Sequence, residues 1–318
     1  MMKKTLVALA VIAVSGTAIA QSSVTLYGMA NAGIGRDKWS GSDKTKFLGG
    51  TSNVNLTASR VGLTGVEDLG SGNKAGFQFE TGLSLEDGRF ASGGSSTATP
   101  WGRQANVWIG GNWGTIKLGR QFTVSHIVEG VYDLTGLANY SVNALTFKEA
   151  SIGHRAPSAI AYISPNMGGL TAAVAFVSKN NIDGATKNIW DAGVMYSNGP
   201  LGAGLSVNKG LDSGKTNYQL GAKYGFGNFT VAAGYHQGSE TPSDDLKRRG
   251  FNLGVQAKFG AFTVTLDATR DQKREAGKKY TNAVLKGRYA LSKRTNLYAD
   301  VLRFDGKTGW GLGIHHRF

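Results

Sequence analysis

The sequence predicts an all-β fold, a single sixteen-stranded antiparallel barrel that crosses a membrane. Three observations predict it. Segments in which apolar side chains alternate with polar or small ones recur along the whole chain, and their connections alternate between short and long. The chain also has 47 glycines in 318 residues, 5 prolines and no cysteine. An even number of strands with short turns at one end and longer loops at the other is typical of transmembrane β-barrels.

The first twenty residues have the layout of a secretory signal peptide. Two lysines precede ten almost entirely apolar residues, Thr5 to Val14, and small residues at 18–20 supply a cleavage site. Ten apolar residues are too few to cross about 30 Å of hydrocarbon as a helix, which disfavours a membrane anchor. We therefore expect cleavage before Gln21 and a single barrel domain over residues 21–318. Loss of the two lysines lowers the formal net charge from +14 to +12.

Composition excludes several other classes of protein. Without cysteine, neither a disulfide framework nor a thiolate metal site is available. After the leader, no segment approaches the roughly 18 consecutive apolar residues that a membrane helix needs. Glycine does not recur at every third position, which excludes collagen. Apolar and aromatic residues recur throughout, which disfavours disorder.

Sixteen strand segments follow one another along the chain, joined by seven short turns and eight longer polar loops. In order they are VTLYGMANAGIG, NVNLTASRVGLTGV, KAGFQFETGLSL, RQANVWIGG, TIKLGR, PSAIAYIS, LTAAVAFVS, NIWDAGVMYS, AGLSVNK, TNYQLGAKYGF, FTVAAGYHQ, GFNLGVQAKF, FTVTLDATR, YTNAVLKGRYAL, TNLYADVLRF and GWGLGIHHRF. The last of these has large apolar residues in one phase and small or basic ones in the other. It must pair with the first segment if the barrel is to close.

A soluble β-sandwich shows the same alternation, so the choice depends on what the polar phase contains. That phase carries Lys, Arg, Asp and Asn, which suit a wet lumen and not a dry core. Aromatic residues lie near strand ends, as they do in interfacial girdles. Because about sixteen strands enclose an aqueous channel, we expect a water-filled lumen.

One segment, Gln121 to Gly153, breaks the rhythm for about thirty residues without a clear period. Loops of this length in a compact domain are usually functional or disordered. Nine large apolar residues make this loop, the third longer one, too apolar to extend into water. We expect it to fold inward against the barrel wall and to narrow the lumen.

Several motifs occur in a fixed order: SSVTLYG, SRVGLTGVEDLGSGNKAGFQFETG, RQANVWIGGNWGTIKLGRQ, AYISPNMGG, NGPLG, LSKRTNLYADV and a terminal Phe318. The ordered set resembles the general diffusion porins of Gram-negative outer membranes, in particular the betaproteobacterial and neisserial type, over residues 21–318. The resemblance implies an outer-membrane homotrimer with three separate pores. It also implies that the third loop forms the constriction and that Phe318 is the signal for membrane assembly.

The resemblance further implies which residues form the constriction. Carried over by motif, the wall arginines are Arg60, Arg103 and Arg155, and the loop acids are Glu129 and Asp133, with Glu149 as a further candidate. Arg60 and Arg155 are out of step with the apolar phase of their strands, so both can point inward. Arg103 is in step with that phase and needs either a bulge or a position facing the loop.

Two departures from the family pattern make the expected constriction more basic. Asn31 stands where the first strand commonly has an inner acid, and the loop lacks the fuller set of acids of strongly cation-selective members. Charged rings in a narrow aperture set selectivity, and low-dielectric walls focus their field. We expect passive diffusion of small hydrophilic solutes and inorganic ions with a mild anion preference. The alternative for the arginines is a set of solvated lumen charges with little effect on flux.

Two other functions remain open at this point: an adhesion or receptor barrel whose loops bind host or phage, and a substrate-specific channel. The second would have an aromatic track, and no such run occurs in the inward phase. No enzyme, cofactor or metal site is expected. GLDSGKT has three residues between its glycines where a phosphate loop has four. His315 and His316 are adjacent in a strand and point to opposite faces.

Basic patches at Lys247 to Arg249 and around Lys278 fall in predicted outer loops, with acidic residues nearby. Such runs are usually solvated loop charges, and here they can contact lipopolysaccharide phosphates. We expect outer-membrane lipid and lipopolysaccharide as partners, and no nucleic acid.

Overall fold

The structure, a computed structural model, describes residues 23–39, 41, 43–90, 99–147, 152–182, 187–210, 216–239, 247–273 and 280–318. The predicted leader, Glu149, most of the GLDSGKT segment and Lys278 lie outside the described residues.

Sixteen long strands and one three-residue strand form a single sheet in the described part of the chain. The strands are β1 (Ser23–Arg36), β2 (Lys46–Leu48), β3 (Arg60–Gly70), β4 (Asn73–Gly82), β5 (Gln104–Gly111), β6 (Gly114–Phe122), β7 (Arg155–Ile163), β8 (Leu170–Val177), β9 (Ile189–Asn198), β10 (Leu201–Lys209), β11 (Asn217–Phe226), β12 (Phe229–Ser239), β13 (Lys247–Phe259), β14 (Phe262–Asp271), β15 (Tyr280–Ala290), β16 (Thr295–Phe304) and β17 (Lys307–Arg317). Neighbouring strands pair antiparallel, and pairing of β1 with β17 closes the barrel. The predicted sixteen-stranded barrel is confirmed.

Closure extends to the last residue of the chain. The first half of β1 pairs with β3, and its second half, Met29 to Arg36, pairs with Arg317 to Trp310 of β17. Beyond β17, the Phe318 N–H donates to the Gly28 carbonyl at 3.1 Å, and the Gly28 N–H donates to the Phe318 carbonyl at 3.2 Å. The predicted pairing of the first and last segments is therefore confirmed, and the backbone does not fray at Phe318.

The two faces of the sheet have opposite character. On β14, Leu266 is exposed on the outside, whereas Thr265 and Asp267 are buried inside. The same exchange of burial recurs along β10 to β17, with leucine, valine and aromatic side chains outside. An apolar face exposed around a whole barrel is stable in lipid, where each polar backbone group is satisfied by a neighbouring strand.

His316 is the polar residue of the outer phase on the last strand, and it lies at the end of the barrel. Its Nδ1 is 2.9 Å from Oγ1 of Thr295, which follows the short turn between β15 and β16. This position near the barrel rim makes a polar side chain tolerable in an otherwise apolar phase.

Seven connections at one end of the barrel have two to six residues: 71–72, 112–113, 164–169, 199–200, 227–228, 260–261 and 291–294. Seven connections at the other end are longer, but the one between β16 and β17 is only Asp305 and Gly306. The prediction of eight longer loops is therefore wrong at this place. Asp305 (φ 53°) and Gly306 (φ 73°) both have positive φ, as a type I′ hairpin turn requires and an Asp-Gly pair favours.

The third long connection contains two short helices, α1 (Val124–Tyr132) and α2 (Val142–Phe147). Thr123 caps α1, because its side chain accepts a hydrogen bond from the His126 N–H. Val124, Val128 and Tyr132 recur every fourth residue and pack on small residues of β7 and β8. No helix in the described residues is long and apolar enough to cross a membrane.

Candidate functional site

Helix α1 lies on three glycines of neighbouring strands, Gly193, Gly204 and Gly221, which we name the glycine trough. A Cβ atom added at Gly221 would lie 2.5 Å from the Tyr132 ring, and one at Gly204 would lie 2.8 Å from the Val128 side chain. Gly204 and Gly221 are directly paired between β10 and β11. The absence of side chains lets the helix approach the sheet more closely than any other residue would allow.

Buried hydrogen bonds fix the beginning of α1 next to this trough. The Asp191 carboxylate accepts from the Ser125 N–H at 3.0 Å and from the Ser125 hydroxyl at 2.6 Å. Asn208 donates to the same hydroxyl at 3.0 Å, and Gln219 donates to the Ser125 carbonyl at 2.6 Å. All four residues are buried. Loss of one partner would leave buried polar groups unsatisfied, which costs about 1–3 kcal/mol each.

Helix α2 is attached to a different part of the wall. The Thr146 hydroxyl lies 2.9 Å from the Thr269 hydroxyl of β14 and accepts from Asn282 of β15 at 2.8 Å. The Phe147 ring stacks on His236 of β12, with ring centroids 4.4 Å apart. The His236 ring also lies 6.1 Å from the Tyr132 ring of α1, so the two helices share this residue and are otherwise held by different wall residues.

The segment between the helices, Asp133 to Ser141, forms an elbow. One Asp133 carboxylate oxygen accepts from both the N–H and the hydroxyl of Thr135, each at 2.6 Å, and the other accepts from the Ser141 hydroxyl. From the wall, Gln256 donates to the Leu134 carbonyl at 3.0 Å, and Lys286 donates to the Thr135 carbonyl at 3.1 Å. The elbow is thus fixed by its own carboxylate and by two wall donors.

Tyr140 completes the underside of the elbow. It packs in a buried cluster with Leu48, Val54 and Leu302. Burial, with a contribution from the nearby Asp300 carboxylate, raises the pKa of the Tyr140 hydroxyl well above its usual value. The side chain therefore stays neutral over the physiological pH range.

A cavity of about 840 Å³ lies between the elbow and the wall. Among the described residues that line it there is no Asp or Glu, but there are seven basic residues: Arg60, Arg103, Arg155, Arg248, Lys286, Arg288 and Arg317. Three histidines also line it: His126, His154 and His315. These side chains make the electrostatic potential in the cavity positive.

Arg60 and Arg103 meet one buried acid, Glu80. The Arg103 Nε donates to a Glu80 carboxylate oxygen at 2.6 Å, and the Arg60 Nη1 lies 4.0 Å from the same oxygen. The Tyr27 hydroxyl donates to the other oxygen at 3.1 Å. Glu80 is 4% exposed and is not among the lining residues, so it lies behind the guanidinium groups and orients them.

Arg155 approaches the cavity from β7. Its guanidinium lies 4.6 Å from the centroid of the Phe122 ring, and that ring stacks on His126 at 4.8 Å. A guanidinium over an aromatic face is attracted by the ring quadrupole. The stack therefore holds the arginine side chain at the cavity edge.

For Arg155 and Arg103, the regular alternation of inward and outward side chains stops before the arginine is reached. Between Ile160 and Arg155 the pairing with β6 shifts register, and Ser158 has a φ of 49°. Arg103 precedes β5, which begins at Gln104. The alternation rule of a regular strand does not apply before its first residue, so Arg103 reaches the cavity without a bulge inside the strand.

A family model described as a Gram-negative porin matches residues 5–309. The chain belongs to the Gram-negative porin family. It is similar to outer membrane porin protein 32 of Delftia acidovorans, with 33% identity over 98% of this chain and 92% of the relative. The major outer membrane protein P.IB of Neisseria meningitidis serogroup B is 26% identical over the whole of both chains.

Among solved structures, this porin is similar to the anion-selective porin from Comamonas acidovorans. The TM-score is 0.77 at 26% identity, over 93% of this chain and 100% of the other. Family and fold together establish an outer-membrane channel protein.

The two acids of the third loop that were expected to face the arginines, Glu129 and Asp133, lie outside the cavity lining. Glu129 is fully buried on α1, and Asp133 binds Thr135 and Ser141. Neither is among the residues that line the cavity. Asn31 is fully buried, and its amide donates to the Thr57 carbonyl at 2.9 Å. The acid that contacts the arginines is Glu80, which sequence reasoning did not single out although it shares the inward phase of Gln78.

A second basic group was also missed as part of the site: Arg248, Lys286, Arg288 and Arg317. The signal was present, because Lys286 and Arg288 occupy the polar phase of β15 and Arg317 the basic phase of β17. What the sequence lacked was the position of the elbow, whose residues Thr135 to Asn139 line the cavity opposite these side chains.

The elbow bonds of Asp133 lead to a prediction that separates two roles for this acid. Asp133→Asn removes an acceptor from a cluster of three donors, so we expect the elbow to loosen and single-channel current noise to rise. The reversal potential in a KCl gradient is expected to stay close to that of wild type, because the Asp133 carboxylate is not among the groups that line the cavity.

Thr135→Val is the matched control, because it removes one of the same hydrogen bonds without changing the charge. It is expected to raise the noise as well. A shift of the reversal potential towards anions in Asp133→Asn, with quiet currents, would show instead that Asp133 acts as a charge in the pore.

Proposed function

We propose that this porin conducts small hydrophilic solutes and inorganic ions by passive diffusion, with a preference for anions. One observation carries the proposal: among the described residues, seven lysines and arginines line the cavity and no aspartate or glutamate does. Arg60, Arg103 and Arg155 on the wall are proposed as the selectivity residues. Glu129 and Asp133 are proposed to act through the shape of the loop.

Elementary electrostatics supports the preference. A single charge 4 Å from an ion is worth about 1 kcal/mol even in bulk water, and more near a low-dielectric wall. Screening acts over about 10 Å at 0.1 M salt, so several of the seven basic side chains act on an ion in the cavity at once. Anions are concentrated and cations are depleted, and no bond is made or broken.

Similarity to a solved porin structure adds support for the anion preference. The Comamonas acidovorans structure is described as anion-selective, and this chain shares its fold over 93% of its length. At 26% identity, that description is a reason to test the same property here.

The test is a planar-bilayer recording of the purified porin in a KCl gradient. We expect stepwise ion-conducting insertions and a reversal potential of the sign set by chloride. A potassium-signed potential would contradict the anion preference. Protein that inserts without conducting would favour the rival function, an adhesion or receptor barrel that binds host or phage through its loops.

Several finer properties complete the proposal. We infer cleavage of the leader before Gln21, a homotrimer, contacts of the outer loops with lipopolysaccharide, and a role for Phe318 in membrane assembly. The two backbone hydrogen bonds between Phe318 and Gly28 support the last, because loss of this residue would shorten the closing pair of strands. We also infer that the protein is a channel without enzymatic activity.

A further inference from the structure

The two sides of the cavity differ in chemistry. The barrel wall contributes all the lysine and arginine side chains together with Met29, Phe122 and Phe304, whereas the third loop contributes no lysine or arginine and three large aliphatic residues. These are Ile127, Leu137 and Leu145, which we name the apolar rim. Ile127 is 38% exposed, although it is a large apolar residue. The other lining residues that the structure describes between β6 and β7 are two histidines, His126 and His154, and small or polar residues, with no acid among them. A permeating solute therefore meets the cationic side chains on the wall and finds the apolar rim on the loop that faces them.

Leu137 holds its place in the rim in an unfavourable backbone conformation. Its φ is 54°, in the left-handed region that disfavours a branched apolar side chain and favours glycine or asparagine. The side chain lies against Gly130 of α1, where an added Cβ would be 3.1 Å from a Leu137 methyl carbon. A bulky residue kept in this conformation beside a cavity points to a function, because the strain must be balanced by the surrounding structure.

We propose that the pore selects among organic anions and favours small monocarboxylates with a compact apolar group over hydroxylated carboxylates of the same size. The inference rests on the proposed anion preference and names the class of substrate. The carboxylate is recognised by the guanidinium groups of the wall, which match it with two parallel hydrogen bonds. The aliphatic end then loses water against the apolar rim.

The size of the effect follows from the area involved. Full burial of one methylene changes an equilibrium about fourfold, and a pore wall removes only part of the water around a passing group. We therefore expect about a twofold difference for a single methyl group exchanged for a hydroxyl. Both solutes carry one charge, so the basic wall does not discriminate between them.

Isobutyrate and lactate provide this exchange, since they differ by a methyl group in place of a hydroxyl. The experiment measures their permeability ratio by bi-ionic reversal potentials in planar bilayers, with chloride as the common reference. Wild-type porin is expected to pass isobutyrate about twice as readily as lactate, by the same burial estimate. A ratio at or below one would overturn the proposal.

Two variants place the preference on the rim. Leu137→Asn suits the left-handed backbone and removes the apolar group, and Ile127→Gln changes an exposed helix position that does not decide folding. Each is expected to bring the ratio towards one. Leu69→Gln is the matched control, because Leu69 is an exposed apolar residue near the turn end of β3 and does not line the cavity; it should keep the wild-type ratio. A ratio that survives both rim substitutions would also overturn the proposal.

The KCl measurement on the same membranes separates the two proposals. If KCl shows an anion preference and isobutyrate does not exceed lactate, the substrate class is wrong and the anion preference stands. If KCl shows no anion preference, the proposed function fails whatever the ratio of the two carboxylates.

Discussion

Replacing Arg60, Arg103 and Arg155 together by glutamine is expected to lower the chloride-to-potassium permeability ratio about tenfold, since 1.4 kcal/mol is a factor of ten. The change removes three positive charges near the cavity and leaves the negative Glu80 behind them. Each lost charge is worth about 1 kcal/mol for an ion at 4 Å in water, before screening. The ratio is measured from reversal potentials at low and high salt, and the effect should shrink at high salt.

Adding Glu80→Gln to the triple variant tests the contribution of the buried acid. Arg103 lies 2.6 Å from Glu80, so its replacement alone strands a buried carboxylate, and the quadruple variant removes both partners. We expect the quadruple variant to fold better and to be less cation-preferring than the triple one. Lys74→Gln is the control for a charge away from the cavity, because Lys74 is exposed at the turn end of β4, six residues before Glu80, and does not line the cavity. A triple variant within about twofold of wild type would indicate that the arginines are solvated charges with little effect on flux.

Gly221→Leu is expected to displace α1 from the glycine trough and to raise single-channel conductance. The added side chain would occupy the place of the Tyr132 ring, which lies 2.5 Å from a Cβ at this position. Overfilling a packed contact of this kind costs about 1–3 kcal/mol, enough to unseat a loop segment without opening the barrel. Limited proteolysis of the segment between β6 and β7 should become faster.

Gly225→Leu is the matched control in the same strand, because the nearest atom to its Cβ would be 3.7 Å away. It is expected to leave both conductance and proteolysis as in wild type. If Gly221→Leu also leaves them unchanged, the trough does not determine the position of the loop.

The strands were predictable because the sheet is two-sided and each side faces one solvent. Period-two alternation identifies a strand without knowledge of its partners, as on β14, where Leu266 is outside and Asp267 inside. The error at Asp305 and Gly306 came from expecting every connection at that end to be long. The Asp-Gly pair was the local signal for a tight turn, and it was read as loop.

The third loop was harder, because its apolar residues follow a helical spacing over only nine residues. Val124, Val128 and Tyr132 share one side of α1, yet such a short run is ambiguous in sequence. The glycines that receive the helix lie between 60 and 100 residues further on, in three strands. Their role depends on register between distant segments, which the sequence alone does not provide.

The candidate site was predictable where it depends on motifs and not where it depends on hydrogen bonding. Family motifs pointed to Arg60, Arg103 and Arg155, and all three line the cavity. The use of the Asp133 carboxylate by Thr135 and Ser141 follows from the fold of the elbow. A sequence shows that an acid is present, but not which donors its oxygens accept from.

The glycine trough has a consequence for how such a pore can be retuned. We expect pore width to depend on how closely α1 lies against β9, β10 and β11, whereas the basic side chains around the cavity come mainly from β3, β7, β15, β17 and the residue before β5. Apart from β7, which carries Arg155 and also packs on α1 through Ala161, these are separate strands, so a substitution in one set need not disturb the other. We therefore expect that substitutions in one set of strands can alter the size limit of this channel while substitutions in the other set alter the ion preference proposed for it.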